Sequence, residues 1–145
     1  MQLISTHKVM TQNLGYHGNL FGGQMLAWLD EAGVAFASEI CGTPQMVTVH
    51  MSEVCFNAPA RQTQIIKIYG KVEKMGMSSV TLRLEARRHS VYNGTQKIIC
   101  STEITFVRID GDGEAVPIPN HIREEWERNN KKTYIDGEDH DRQNG

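Results

Sequence analysis

The stretch that most constrains this chain runs from Tyr16 to Ile40, YHGNLFGGQMLAWLDEAGVAFASEI. It opens on the turn His17-Gly18-Asn19-Leu20-Phe21-Gly22-Gly23. Glycine at that density suits a backbone that must bend sharply or pass close to something else. The longest run of helical periodicity in the sequence follows. At about 100° per residue, Met25, Leu26, Leu29, Gly33, Phe36, Ala37 and Ile40 gather into one apolar arc, which predicts a helix from Gly22 to Cys41. Gly42-Thr43-Pro44 supplies its stop. Ala27, Ala32, Ala35 and Ala37 keep the helix slim enough to be enclosed on most sides.

The remainder reads as sheet. Residues 2–11 predict a first strand, and the runs Met46–Ala58, Gln64–Met75, Ser79–Val91 and Gln96–Ile109 predict four more. The fourth alternates cleanly at Val80, Leu82, Leu84 and Ala86. Gly70 interrupts the third, where a bulge is expected, and Asn93-Gly94 marks a hairpin turn. The expected architecture is α+β: a strand, a long helix, then a four-strand antiparallel meander curled over that helix. One sheet with a helix on one face leaves edges to cover, which predicts oligomerisation. Residues 1–119 make up this domain. Residues 120–145 stand apart, as a short polar helix through HIREEWERNN, with Trp126 its one large apolar anchor, and a charged, apolar-poor tail expected to be disordered.

At 145 residues the chain makes one domain with room for a sizeable core. Its net charge of -2 leaves no lysine and arginine excess to replace phosphate counterions, so no nucleic-acid partner is expected. The N-terminal MQLISTHKVMTQN lacks the apolar core of a signal peptide, and no apolar run approaches membrane-spanning length. Cys41, Cys55 and Cys100 are far apart and outside any CxxC arrangement, so free thiols in a reducing cytoplasm are expected.

Within the helix, Asp30 and Glu31 point in different directions. Asp30 falls roughly 80° from the centre of the apolar arc, at the rim of the buried face, and Glu31 falls on the solvated side. Two roles fit an acid at that rim, a local structural pairing or proton chemistry tuned by desolvation. Gly22 and Gly23 head the helix, where first-turn amides lack intrahelical acceptors and can hold a carbonyl oxygen or oxyanion. About two turns, or roughly 10 Å, separate Gly23 from Asp30, so a second subunit is one way to bring them together. The six histidines show no metal spacing, the serines no GxSxG elbow and the cysteines no partner for a thiolate mechanism, so neither a metal site nor a serine or thiol enzyme is expected.

The glycine turn together with Met25-Leu26-Ala27-Trp28-Leu29-Asp30-Glu31-Ala32 strongly resembles the hotdog-fold acyl-CoA thioesterases, in particular the cytoplasmic acyl-CoA hydrolases. The likeness continues through Val47-Thr48, Met51-Ser52-Glu53, Phe56, Pro59 and Gly76-Met77-Ser78-Ser79-Val80, in matching order over about residues 5–119. It implies a five-stranded antiparallel sheet wrapped around one long helix. The resemblance implies that two subunits share a continuous sheet as a double-hotdog dimer, with active sites at their interface and dimers assembling further into hexamers. It implies hydrolysis of acyl-CoA in the cytoplasm, with Asp30 as general base or nucleophile and the Phe21-Gly22-Gly23 turn polarising the thioester carbonyl. It also implies no cofactor beyond the coenzyme A of the substrate. Thr48 then orients water from the facing subunit, Asn19 stands in the catalytic turn, and His17, Phe21, Gly22, Ser78, Ser79 and Arg87 contact substrate. One departure is plain: the family's asparagine, three residues before Gly18, falls on Gly15, with Asn13 and Asn19 as nearby replacements. That departure keeps a second reading open, a hotdog module that binds or senses acyl-CoA without turnover. A hotdog dehydratase would need a catalytic histidine, for which His17 is the candidate.

Overall fold

The computed structural model describes residues 1–130, and the tail expected beyond them lies outside the described residues. Five strands and one long helix follow in order: β1 (Gln2–Lys8), α1 (Gly22–Cys41), β2 (Met46–Phe56), β3 (Ile65–Met75), β4 (Ser79–His89) and β5 (Gln96–Arg108). Residues 120–130 are also helical, and we label them α2. All strand pairs are antiparallel, in the sheet order β1-β3-β4-β5-β2. This corrects the expected four-strand meander. Only β3, β4 and β5 run as consecutive hairpins, while β2 crosses to the far side and pairs with β5.

The core forms where the sheet curls over α1. Val80, Leu82, Leu84 and Ala86 of β4, with Ile104 and Phe106 of β5, are fully buried against it. The helix approaches most closely at Gly33, where a Cβ would stand 2.9 Å from Phe106 and 3.0 Å from Leu84. Gly70 serves the same purpose rather than making a bulge. Its Cβ position is 2.9 Å from Leu84, and the β3–β4 register shifts at Val72/Lys74 instead. Gly42 ends α1 at φ 65°, its N–H on the Ser38 carbonyl, as the sequence predicts.

The buried face of α1 is Met25, Trp28, Leu29, Ala32, Gly33, Ala37 and Cys41. Met25, Leu29, Gly33 and Ala37 of the predicted arc lie on it, Trp28, Ala32 and Cys41 widen it, and Leu26, Phe36 and Ile40 are only half-buried. Trp28 stacks on His7 of β1, ring centroids 4.5 Å apart. Ala35 is exposed, so the sheet covers the helix on one side and does not enclose it. Ile118 is fully buried, and Ile122 of α2 packs on the core beside Gly42. Ile122, not only the half-buried Trp126, anchors that helix.

Strand β2 is a sheet edge, interrupted twice, at Thr48/His50 and at Ser52/Cys55, with Glu53 at φ 51°. It leaves Val47, Val49, Val54 and Phe56 exposed, Val49 and Phe56 by 55% each.

Candidate active site

The glycine turn is held by its own backbone. Gly15 N–H donates to Asn19 O, Gly18 N–H to Gly15 O, Leu20 N–H to Ala60 O and Phe21 N–H to Asn13 O. Gln24 and Met25 N–H both donate to Phe21 O, closing the first turn of α1. Among the described residues this leaves Gly22 and Gly23 N–H without a protein acceptor. They are donors at the positive end of a 20-residue helix, positioned to stabilise an oxygen carrying negative charge. Gly23 must be small: its Cβ would lie 2.6 Å from the Phe21 ring, which folds over it.

A cavity of about 450 Å³ opens beside these amides. Leu20, Met25, Phe56, Ala58, Ala60 and Ile99 give it apolar walls, and His17, Asn19 and Asn57 are its polar side chains. Gly22 faces it with the Phe56 ring 3.6 Å from its Cβ position. This is the size and chemistry of a site for a mostly apolar ligand fixed by a few polar groups. Of the asparagines expected near the turn, Asn19 lines the cavity. Asn13 is committed elsewhere, its Oδ1 to Met10 N–H at 2.8 Å and its Nδ2 to Gln24 Oε1 at 3.3 Å.

Asp30 lies two turns along α1, half-buried and outside the cavity's lining. Thr48 Oγ1 donates to its Oδ1 at 2.6 Å, the length of a charge-assisted O–H···O⁻ bond. Both residues belong to one chain, so Thr48 holds the carboxylate of its own subunit. Glu31 is exposed, as its place on the helix predicts.

The remaining sequence candidates lie apart. Ser78 and Ser79 stand at the start of β4, and the cavity lies near its other end, where Arg88 donates to the carbonyl of Pro59, a cavity residue. An 11-residue strand puts about 30 Å between the two ends. Arg87 is on the outer face of the sheet, donating to Glu85 at 2.7 and 3.0 Å and lying over the Tyr69 ring. Its charge is already answered. The arginine on a cavity wall is Arg88, which with His89, Tyr92 and Lys97 lines a second hollow of about 370 Å³. Continuing the alternation of Val80, Leu82, Leu84 and Ala86 along β4 places Arg88, and not Arg87, on the inner face.

Burial pushes the Cys41 thiol up against the opposing pull of Arg108. It pushes Cys100 up to about 11, with Cys55 adding to the effect. Neither buried thiol is a ready thiolate nucleophile. Burial against Trp28 lowers the His7 pKa, with Glu31 working in the other direction.

Residues 17–94, more than half of the chain and including the turn, Asp30 and Thr48, match the family described as the Thioesterase superfamily. The chain belongs to the thioesterase superfamily. An uncharacterized acyl-CoA thioester hydrolase of Bacillus subtilis is 25% identical over 123 residues, covering 85% of this chain and 71% of the relative. A hexameric hotdog-fold thioesterase of Campylobacter jejuni superposes with a TM-score of 0.77 at 27% identity, covering 86% of this chain and 95% of that one. A hexameric broad-specificity acyl-coenzyme A thioesterase, solved as an aspartate-to-alanine mutant enzyme, gives 0.78 at 26% identity, with 85% and 92% covered. The fold is the hotdog fold that the motif implied.

Proposed function

We propose that this chain hydrolyses acyl-CoA thioesters to a carboxylic acid and free coenzyme A, at a site built from two copies of itself. One observation carries the reading. Free amide donors beside an apolar cavity lie near the Phe56 end of β2, the Asp30–Thr48 pair lies near its Met46 end, and the outer edge of β2 is unpaired among the described residues. Antiparallel pairing of β2 with a second copy covers that edge. It carries each Asp30–Thr48 pair, with the Ser78–Ser79 end of the sheet, toward the partner's cavity. A homodimer is then the smallest active unit, and the hexameric relatives support assembly of three such dimers.

The acyl chain occupies the cavity among Met25, Phe56 and Ile99, with the thioester carbonyl oxygen on Gly22 and Gly23 N–H. Asp30 of the other copy, held by Thr48, takes a proton from water as the water oxygen bonds to the carbonyl carbon. Collapse of the tetrahedral adduct breaks the C–S bond, and the coenzyme A thiolate leaves and is protonated. Direct attack by Asp30 instead forms a mixed anhydride that water then opens; single turnover in heavy-oxygen water separates the routes, because only the second labels the aspartate. The chemistry consumes substrate and water and calls for no cofactor, and a cytoplasmic location fits a coenzyme A substrate.

The test is thiol release from short-, medium- and long-chain acyl-CoAs by the purified protein. Release from any class supports the reading. Tight acyl-CoA binding in calorimetry without release selects the non-catalytic binding module, and neither binding nor release removes both.

A further inference from the structure

Resting on the thioesterase reading, the geometry points to His17 as a catalytic hydrogen-bond donor to the substrate carbonyl, supplied from the space that a side chain at residue 15 would otherwise fill. Asn19 N–H donates to His17 Nδ1 at 3.1 Å. An imidazole that accepts at Nδ1 carries its proton on Nε2, so the turn itself selects the Nε2–H tautomer. Among the described residues that Nε2 has no protein partner. The ring packs edge-on to Tyr16, centroids 5.3 Å apart, and stands on the wall of the same cavity as Gly22.

Gly15 explains how the ring comes to be there. A Cβ at residue 15 would meet His17 Nε2 at 3.1 Å, His17 Cε1 at 3.3 Å and Phe21 Cδ2 at 3.6 Å. The backbone does not require glycine at this position, because the positive-φ glycines are Gly18, Gly42, Gly94 and Gly113. What residue 15 needs is the absence of a side chain, since the imidazole takes that volume. Gly15 and His17 are therefore a matched pair, and removing the ring reopens the volume to a side chain from residue 15. The cavity's other polar side chains, Asn19 and Asn57, have no such fixed orientation in the described contacts.

The experiment compares kcat and KM of the wild type, His17→Ala, Gly15→Asn and the double variant on the best acyl-CoA substrate. Losing one preorganised carbonyl donor lowers kcat about 100-fold, and His17→Ala is expected to do so while KM stays within about threefold. Gly15→Asn alone also falls, because its side chain collides with the ring. In the double variant the asparagine amide enters the vacated space, and about tenfold or more of the lost kcat returns. A His17→Ala enzyme within about threefold of wild-type kcat overturns the proposal, as does a loss that the double variant fails to recover. A second readout needs no turnover: an oxoalkyl thioether of coenzyme A keeps a carbonyl but cannot be hydrolysed. Its binding is expected to move the His17 Nε2–H NMR signal downfield; binding with no movement overturns the proposal. If the wild type hydrolyses no acyl-CoA, the functional reading fails and the NMR result still decides the role of His17.

Discussion

Thr48 Oγ1 stands 2.6 Å from Asp30 Oδ1, tying the edge strand β2 to the middle of α1. The bond fixes one carboxylate oxygen and leaves the other for a ligand. Proton transfer by a placed carboxylate contributes about 100-fold or more, so Asp30→Asn is expected to lose at least that in kcat, with thermal unfolding little changed. Thr48→Val removes one hydrogen bond to a charged group and is expected to cost about tenfold. Glu31→Gln, one residue away and exposed, stays within about twofold. Steady-state kinetics on the three variants check the ordering, and an active Asp30→Asn enzyme removes that residue from the mechanism.

Gly23→Ala tests the helix start. A methyl group there meets the Phe21 ring at 2.6 Å, so the ring must swing away and the free amides shift with it. A misplaced carbonyl donor costs about 100-fold in kcat. Because Phe21 is 56% exposed and can move, unfolding should change little. Unchanged kcat means that these amides do not hold the reacting oxygen.

Periodicity located α1 and separated Asp30 from Glu31, because a helix's exposure pattern is written in neighbouring positions. Strand existence was equally legible, but strand order was not. That β2 pairs with β5 depends on contacts between residues far apart in the chain, such as Thr48 with Phe106, which no local pattern encodes. The same limit hid the Thr48–Asp30 bond within one chain and the seating of the His17 ring over Gly15. Gly70 is ambiguous in sequence for a related reason: a glycine in a strand signals either a bulge or a close neighbour, and the neighbour, Leu84, lies on another strand.

Gly33→Ala addresses the core. The added methyl group stands 2.9 Å from Phe106 and 3.0 Å from Leu84, both fully buried with no room to retreat. Overpacking of this kind costs about 1–3 kcal/mol, and chemical denaturation is expected to show that loss with an unchanged m-value. Stability equal to wild type contradicts the close crossing of helix and sheet.

His7 gives stability a pH dependence. Its folded-state pKa lies below the ordinary value because burial disfavours the charged ring. The unfolded chain therefore takes up a proton first as pH falls, and stability is lost on acidification from the ordinary histidine pKa down through the lowered one. Melting temperature is expected to fall as pH drops below the ordinary histidine pKa of about 6.5, and less steeply in His7→Phe, which keeps the stack on Trp28 without the titration. Equal slopes in the two proteins assign the effect to other groups.

The composite site makes its strongest demand on β2. Val49 is 55% exposed on an unpaired edge, a costly position for valine in an isolated protomer and a natural one beneath a second copy. Val49→Glu places like charges near one another across a two-fold interface, at a cost of several kcal/mol, which is about 100-fold or more in association. Analytical ultracentrifugation is expected to show dissociation at concentrations where the wild type is assembled, and activity should fall in proportion to the lost dimer. Raising protein concentration should restore both together, since each half of the site is intact in the separated chains. A dissociated Val49→Glu protein with full activity per chain would show that one copy completes the site alone.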